Sequence, residues 1–125
     1  VKSLKDLDSR QACETPFEFE LQIDGKPAGV KLSVIGQQSE TFEKAAAAIA
    51  SEFELAKSLQ SPVDFIQSDQ SRVLTARLVA ARIVGWTGIS EPCTPENALA
   101  LVSTNQDAFT QVLATSNRVG NFIKL

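Results

Sequence analysis

An α+β domain is what this sequence predicts: an N-terminal β-hairpin followed by four or five α-helices, predominantly helical. Three observations lead there. Two stretches alternate apolar and polar residues on either side of Asp24-Gly25. A long run from Phe42 onward keeps apolar residues at helical spacing. Ser39, Ser61-Pro62 and Thr94-Pro95 then supply three helix-start signals in the second half of the hairpin's wake. The chain has 125 residues, of which 43% are hydrophobic and 22% charged, proportions that suit one globular domain and not a disordered segment. No internal repeat, low-complexity tract or interdomain linker divides it. The expected organisation is a flexible arm over 1–15 and a single domain over 16–125.

The arm, VKSLKDLDSRQACET, is polar and mixed in charge, with Leu4 and Leu7 as its apolar pair. It is either loosely ordered or ordered by a partner. Pro16 opens a change of period. Phe17, Phe19, Leu21 and Ile23 alternate with Glu18, Glu20 and Gln22, and Val30, Leu32 and Val34 alternate after the turn. Two such runs about an Asp-Gly turn predict a hairpin over 17–35. A lone hairpin is marginal in water, so later elements must cover its apolar face.

Helices are expected at about 40–60, 62–85, 95–102 and 105–118. Ser39 is the N-cap of the first, with Glu40 in its first turn. Phe42, Ala45, Ala46, Ile49, Phe53, Ala56 and Leu59 carry its spacing, and the Ala45–Ala48 run permits close packing. Pro62 starts the second helix, with the polar patch Gln67–Ser71 as a point of interruption. Val73, Leu74, Leu78, Val79, Ile83 and Val84 continue it as a central helix, closed by Gly85. Trp86 and Ile89 then fall in a loop, where the tryptophan is a core plug or an interface anchor. Thr94 caps the third helix with Pro95 at its first position, and Gly120 ends the fourth. Phe122, Ile123 and Leu125 remain as an apolar tail that folds back or meets another chain.

Composition removes several function classes. Twelve Lys and Arg against 15 Asp and Glu give a net charge of -3, without the basic footprint that nucleic-acid binding needs. There is no His and no Tyr, which excludes His-based nucleophilic triads and most general-base chemistry at neutral pH. Two cysteines 80 positions apart, Cys13 and Cys93, suit neither a zinc set nor a disulfide framework, and are expected as free thiols. Glu18 with Glu20, and Glu52 with Glu54, are ordinary solvated carboxylates, and no glycine-rich phosphate loop is present. Arg72, Arg77 and Arg82 step by five residues and cannot share one helix face, so they are expected at helix edges or against carboxylates. No catalytic, metal or cofactor site is therefore expected. No stretch is apolar enough to span a bilayer, and the first residues show no charged-then-apolar leader, which points to a cytoplasmic protein. A start at Val1 with no Met in the chain points to a trimmed N-terminus.

The order of motifs carries a resemblance. Ile23-Asp24-Gly25-Lys26-Pro27 leads through Leu32-Ser33-Val34-Ile35-Gly36 to Ser39-Glu40-Thr41-Phe42, and Ile83-Val84-Gly85-Trp86 precedes Thr94-Pro95-Glu96-Asn97-Ala98-Leu99-Ala100-Leu101. In that order and spacing, over residues 16–123, the chain resembles the tail assembly chaperones of long-tailed (siphovirus-type) bacteriophages. The resemblance implies a non-enzymatic protein of the host cytoplasm. Such a protein holds the tape measure protein soluble, helps recruit tail tube subunits and is absent from the mature virion. It also implies that a chain ending here is the short form, with tube-protein contacts carried by a C-terminally extended frameshift product. Covering a long partner favours self-association into open head-to-tail assemblies. Leu4 and Leu7 of the arm, Trp86 and Ile89, and Phe122, Ile123 and Leu125 of the tail are the candidate contact residues, with no nucleic acid, membrane or cofactor involved. The alternative is a small structural or connector component of the virion.

Overall fold

A computed structural model describes residues 1–58 and 69–123. Its centre is a three-stranded antiparallel sheet in the order β1-β2-β3, with β1 at Phe17–Ile23, β2 at Lys26–Val34 and β3 at Ile83–Thr87. Five helices accompany it among the described residues: α1 (Ser9–Ala12), α2 (Glu40–Ser58), α3 (Asp69–Ala80), α4 (Pro95–Thr104) and α5 (Gln106–Asn117). The fold is a single α+β domain with an N-terminal hairpin.

The hairpin forms where the Asp-Gly signal places it. Ile23 pairs with Lys26, so Asp24 and Gly25 are the two loop residues, at φ 52° and 75°. Positive φ at both positions matches the right-handed twist of the flanking strands, and Asp-Gly tolerates it. Between Glu20 and Gln22 the register slips by two residues of β2, which lets Pro27 sit where no ladder bond is needed. On the inner face Phe19 lies opposite Leu32, and Leu32 opposite Trp86. On the outer face Glu20 lies opposite Lys31, and Lys31 opposite Thr87. No helix covers that outer face among the described contacts.

Three helices cover the inner one. Leu32 and Val34 of β2 are both 0% exposed and meet Ala76 and Val79 of α3, Ala98 and Val102 of α4, and Val112 of α5. Thr94 caps α4 by accepting the Asn97 N–H, and Asn105 caps α5 by accepting the Ala108 N–H. Gln111 of α5 reaches the edge strand, where its amide both accepts from and donates to the backbone of Gln22, at 3.0 and 2.6 Å. That satisfies one exposed position of β1 and pins α5 to the sheet.

Three expectations require correction. The helix expected over 62–85 ends at Ala80; residues 83–85 belong to β3, and the expected Trp86 loop continues that strand. Ala81 and Arg82 form the turn, and the Arg82 carbonyl accepts the Ile35 N–H at 2.9 Å, which starts the pairing of β3 beside β2. Gly85 is therefore a mid-strand residue facing Ser33 and not a helix stop. Residues 62–68 of that expectation, and 59–60 of the expected 40–60 helix, lie outside the described residues. The arm over 1–15 is not loose throughout: α1 docks on the start of α2, and Cys13 is 1% exposed. The C-terminal tail folds back, with Ile123 buried and the Phe122 ring edge-on to Phe17 at 6.0 Å.

Candidate interaction site

Small side chains on two neighbouring helices leave a groove. Ala45 and Ala48 of α2 line it together with Ala80 at the end of α3 and Ala81 in the turn that follows, with Val84 of β3 and Leu99 of α4 completing its walls. The space amounts to about 520 Å³. The alanine run that permits close packing here leaves room unfilled beside Ala80 and Ala81. Arg77 and Glu52 bridge α2 and α3 within this lining, with a second contact at 3.2 Å. The hydrogen bond from Arg77 holds the Glu52 carboxyl below the usual carboxylate range and raises the guanidinium. The Arg77 guanidinium also stands 5.8 Å from the centre of the Phe53 ring. Cys93 lines the groove half-buried, and burial pushes its thiol up. Glu96, also in the lining, is exposed and has no cationic partner among the described residues.

A second feature is the strap that precedes β1. Asp8 accepts the Gln11 N–H at 3.0 Å and caps α1. From there polar contacts tie the strap to α2. Arg10 Nη1 donates to both Glu43 oxygens at 2.8 Å, and Ser9 Oγ donates to Gln38. Glu14 accepts the Thr41 hydroxyl at 2.6 Å and the Thr41 N–H at 3.0 Å, so its carboxylate satisfies an otherwise unbonded donor in the first turn of α2. Those two bonds, the hydroxyl first, hold the Glu14 carboxyl below its ordinary range. Ser39, itself buried, accepts the Phe42 N–H at 3.1 Å and is the expected N-cap. Cys13 lies against Gly36, whose N–H donates to the Cys13 carbonyl at 2.9 Å; a Cβ on Gly36 would come within 2.6 Å of the Cys13 Cβ. Upstream, the single 3₁₀ turn Leu4–Leu7 leaves Leu4 89% and Leu7 53% exposed.

Arg82 is the charged residue that sequence reasoning placed least well. Instead of reaching a helix edge it is 6% exposed, with its guanidinium carbon 4.2 Å from the centre of the Phe42 ring. Nη1 donates to the Leu78 carbonyl at 2.8 Å, and Nε has no partner. Burial lowers its pKa to about 10. Arg77, by contrast, meets a carboxylate as expected.

The residues singled out from sequence do not converge. Leu4 and Leu7 stand free on the strap. Trp86 is half-buried on β3, its ring against the core and its Nε1 donating to the Glu91 carbonyl at 2.9 Å, and Ile89 packs against the same core. Phe122 and Ile123 line the fold near β1, and Leu125 lies outside the described residues. The groove itself had no sequence signal, because its lining comes from four elements distant in the chain. Among the described residues no group of three or more His, Cys, Asp or Glu side chains is placed to hold a metal ion, and no helix is long and apolar enough to cross a membrane. No family model, curated protein or solved structure matches the chain.

Proposed function

We propose that this chain is a tail assembly chaperone of long-tailed bacteriophages, in its short form. It acts in the host cytoplasm without catalysis, holding the tape measure protein soluble and helping tail tube subunits assemble around it. Copies of the chain associate head to tail along that partner, and a C-terminally extended form carries the tube-protein contact. The observation that carries this reading is the order and spacing of turn and capping motifs from Ile23 through Leu101. An unfilled apolar groove and two solvent-exposed leucines are compatible with a protein that works by binding other chains.

Co-expression with the tape measure protein encoded beside it tests the proposal. The expected outcome is soluble tape measure protein that elutes with several copies of this chain. Unchanged solubility with no co-purification overturns it. Mass spectrometry of purified virions separates the alternative: a structural or connector component persists in the particle, whereas a chaperone is absent.

A further inference from the structure

The groove and the strap offer complementary surfaces on one molecule. The groove, about 520 Å³, is walled largely by aliphatic side chains beside the Arg77–Glu52 pair, and the exposed carboxylate of Glu96 in its lining has no cationic partner among the described residues. A cavity of about 150 Å³ holds one benzene-sized group, so this space accommodates two leucine side chains. Leu4 and Leu7 present such a pair, one turn apart, on a turn whose Ser3 N–H donates to Asp6 at 3.0 Å and so holds them in fixed relation. Lys2 and Lys5 flank Leu4 and are opposite in charge to Glu96. Neither surface is covered by another part of the fold among the described residues.

We propose that the groove between α2, α3, β3 and α4 receives the Leu4–Leu7 turn of a second copy of this chain. The inference rests on the self-association in the function proposed above and assigns it to residues; it does not depend on the tape measure protein. Donor and acceptor surfaces differ, so the contact is heterologous and propagates as an open chain. Burying two leucines supplies the affinity, while Lys5 against Glu96 sets orientation and makes the contact weaken with salt.

Sedimentation of three proteins tests it: the wild type, a Leu4→Ser/Leu7→Ser variant and an Ala48→Glu variant. All three changes lie at exposed positions, so the fold should be kept, and circular dichroism checks that. The wild type should associate with rising concentration, and each variant should do so about 100-fold more weakly. The decisive sample is the mixture. A copy lacking the turn but with an open groove should pair 1:1 with a copy having the turn but a blocked groove, and growth should stop there.

Cys93 gives an independent reading, since it lines the groove half-buried whereas Cys13 is buried. Its reaction with a thiol reagent should slow as wild-type concentration rises, and should be concentration-independent in the Leu4→Ser/Leu7→Ser variant. A wild type that stays monomeric overturns the inference, even where co-purification with the tape measure protein upholds the function proposed above. Self-association that both variants retain overturns it too. Protection of Cys93 that needs Leu4 and Leu7 but ignores concentration would place the turn in its own groove, and also overturns it.

Discussion

The end of β2 and the segment that follows it are secured by different physics. Toward the helices, Leu32 and Val34 are sealed among Val79, Val102 and Val112, side chains that offer nothing but apolar area and shape. Beyond Val34 the chain runs to Gly36 and Ser39, where the strap attaches through Arg10–Glu43, Ser9–Gln38 and Glu14–Thr41. Those polar pairs sit in water: the Arg10 and Glu43 side chains are 56% and 48% exposed. Apolar burial is not weakened by charge screening or by carboxyl protonation, whereas exposed pairs are screened and titrate. The strap should therefore open as a unit of its own, below the free energy of global unfolding.

The largest effect comes from the apolar side. Leu32→Ala removes a fully buried side chain at the centre of the sheet and should destabilise the fold by about 3 kcal/mol. Urea unfolding would show a lower midpoint at unchanged slope. Arg10→Ala, measured alongside, should leave that midpoint nearly in place. Equal shifts for the two variants would erase the distinction between the regions.

A smaller effect is expected where the two regions meet. Gly36 has no positive φ, so alanine is conformationally acceptable there. Its methyl group would nevertheless overlap the Cys13 thiol and crowd the Cys13 Cβ. Gly36→Ala should cost about 1–3 kcal/mol through that overpacking and expel the strap, read as faster reaction of Cys13 with a thiol reagent. Changing Cys13 to Gly in the same chain should return the lost stability. Failure of that rescue would mean Gly36 serves the core and not the strap.

What could be read from sequence follows the same division. The Asp24-Gly25 turn, the Ser39 cap and the Thr94-Pro95 start were legible because each acts on its own neighbours. β3 was not. Ile83-Val84-Gly85-Trp86-Thr87 is only five residues long, and its apolar members continue the spacing of Val73 to Val79, so period alone favours one long helix. The available signal was the cluster of β-branched and aromatic residues around Gly85, which suits a strand better than a helix end. Docking of the strap depends on Gly36 lacking a side chain 23 positions from Cys13, and the groove depends on alanines from distant parts of the chain lining one space. Both arise from tertiary proximity. The exposed Leu4 and Leu7 pair was visible in sequence, but the surface proposed to receive it was not.

The smallest effect separates the regions by pH. Glu14 accepts both Thr41 donors only as a carboxylate, so its pKa in the folded chain lies below the ordinary glutamate value. A depressed folded pKa means stabilisation that is complete above the unfolded value, about 4.3, and is lost as pH falls through the folded one. Glu52 is lowered by Arg77 and follows the same sign, but it joins α2 to α3 and does not touch the strap. Hydrogen exchange resolves the two. Between about pH 6 and 3, the Cys13 and Gly36 amides, bonded to Ser9 and Cys13 carbonyls, should lose protection before amides of β2 do. In a Glu14→Gln variant the acid-dependent part of that loss should vanish at Cys13 and Gly36, because the amide does not titrate: its oxygen accepts the Thr41 N–H and its NH2 donates to the Thr41 hydroxyl at every pH. Simultaneous loss of protection in strap and sheet would show that the polar contacts and the apolar core open as one cooperative unit, and that their different chemistry does not make them separable.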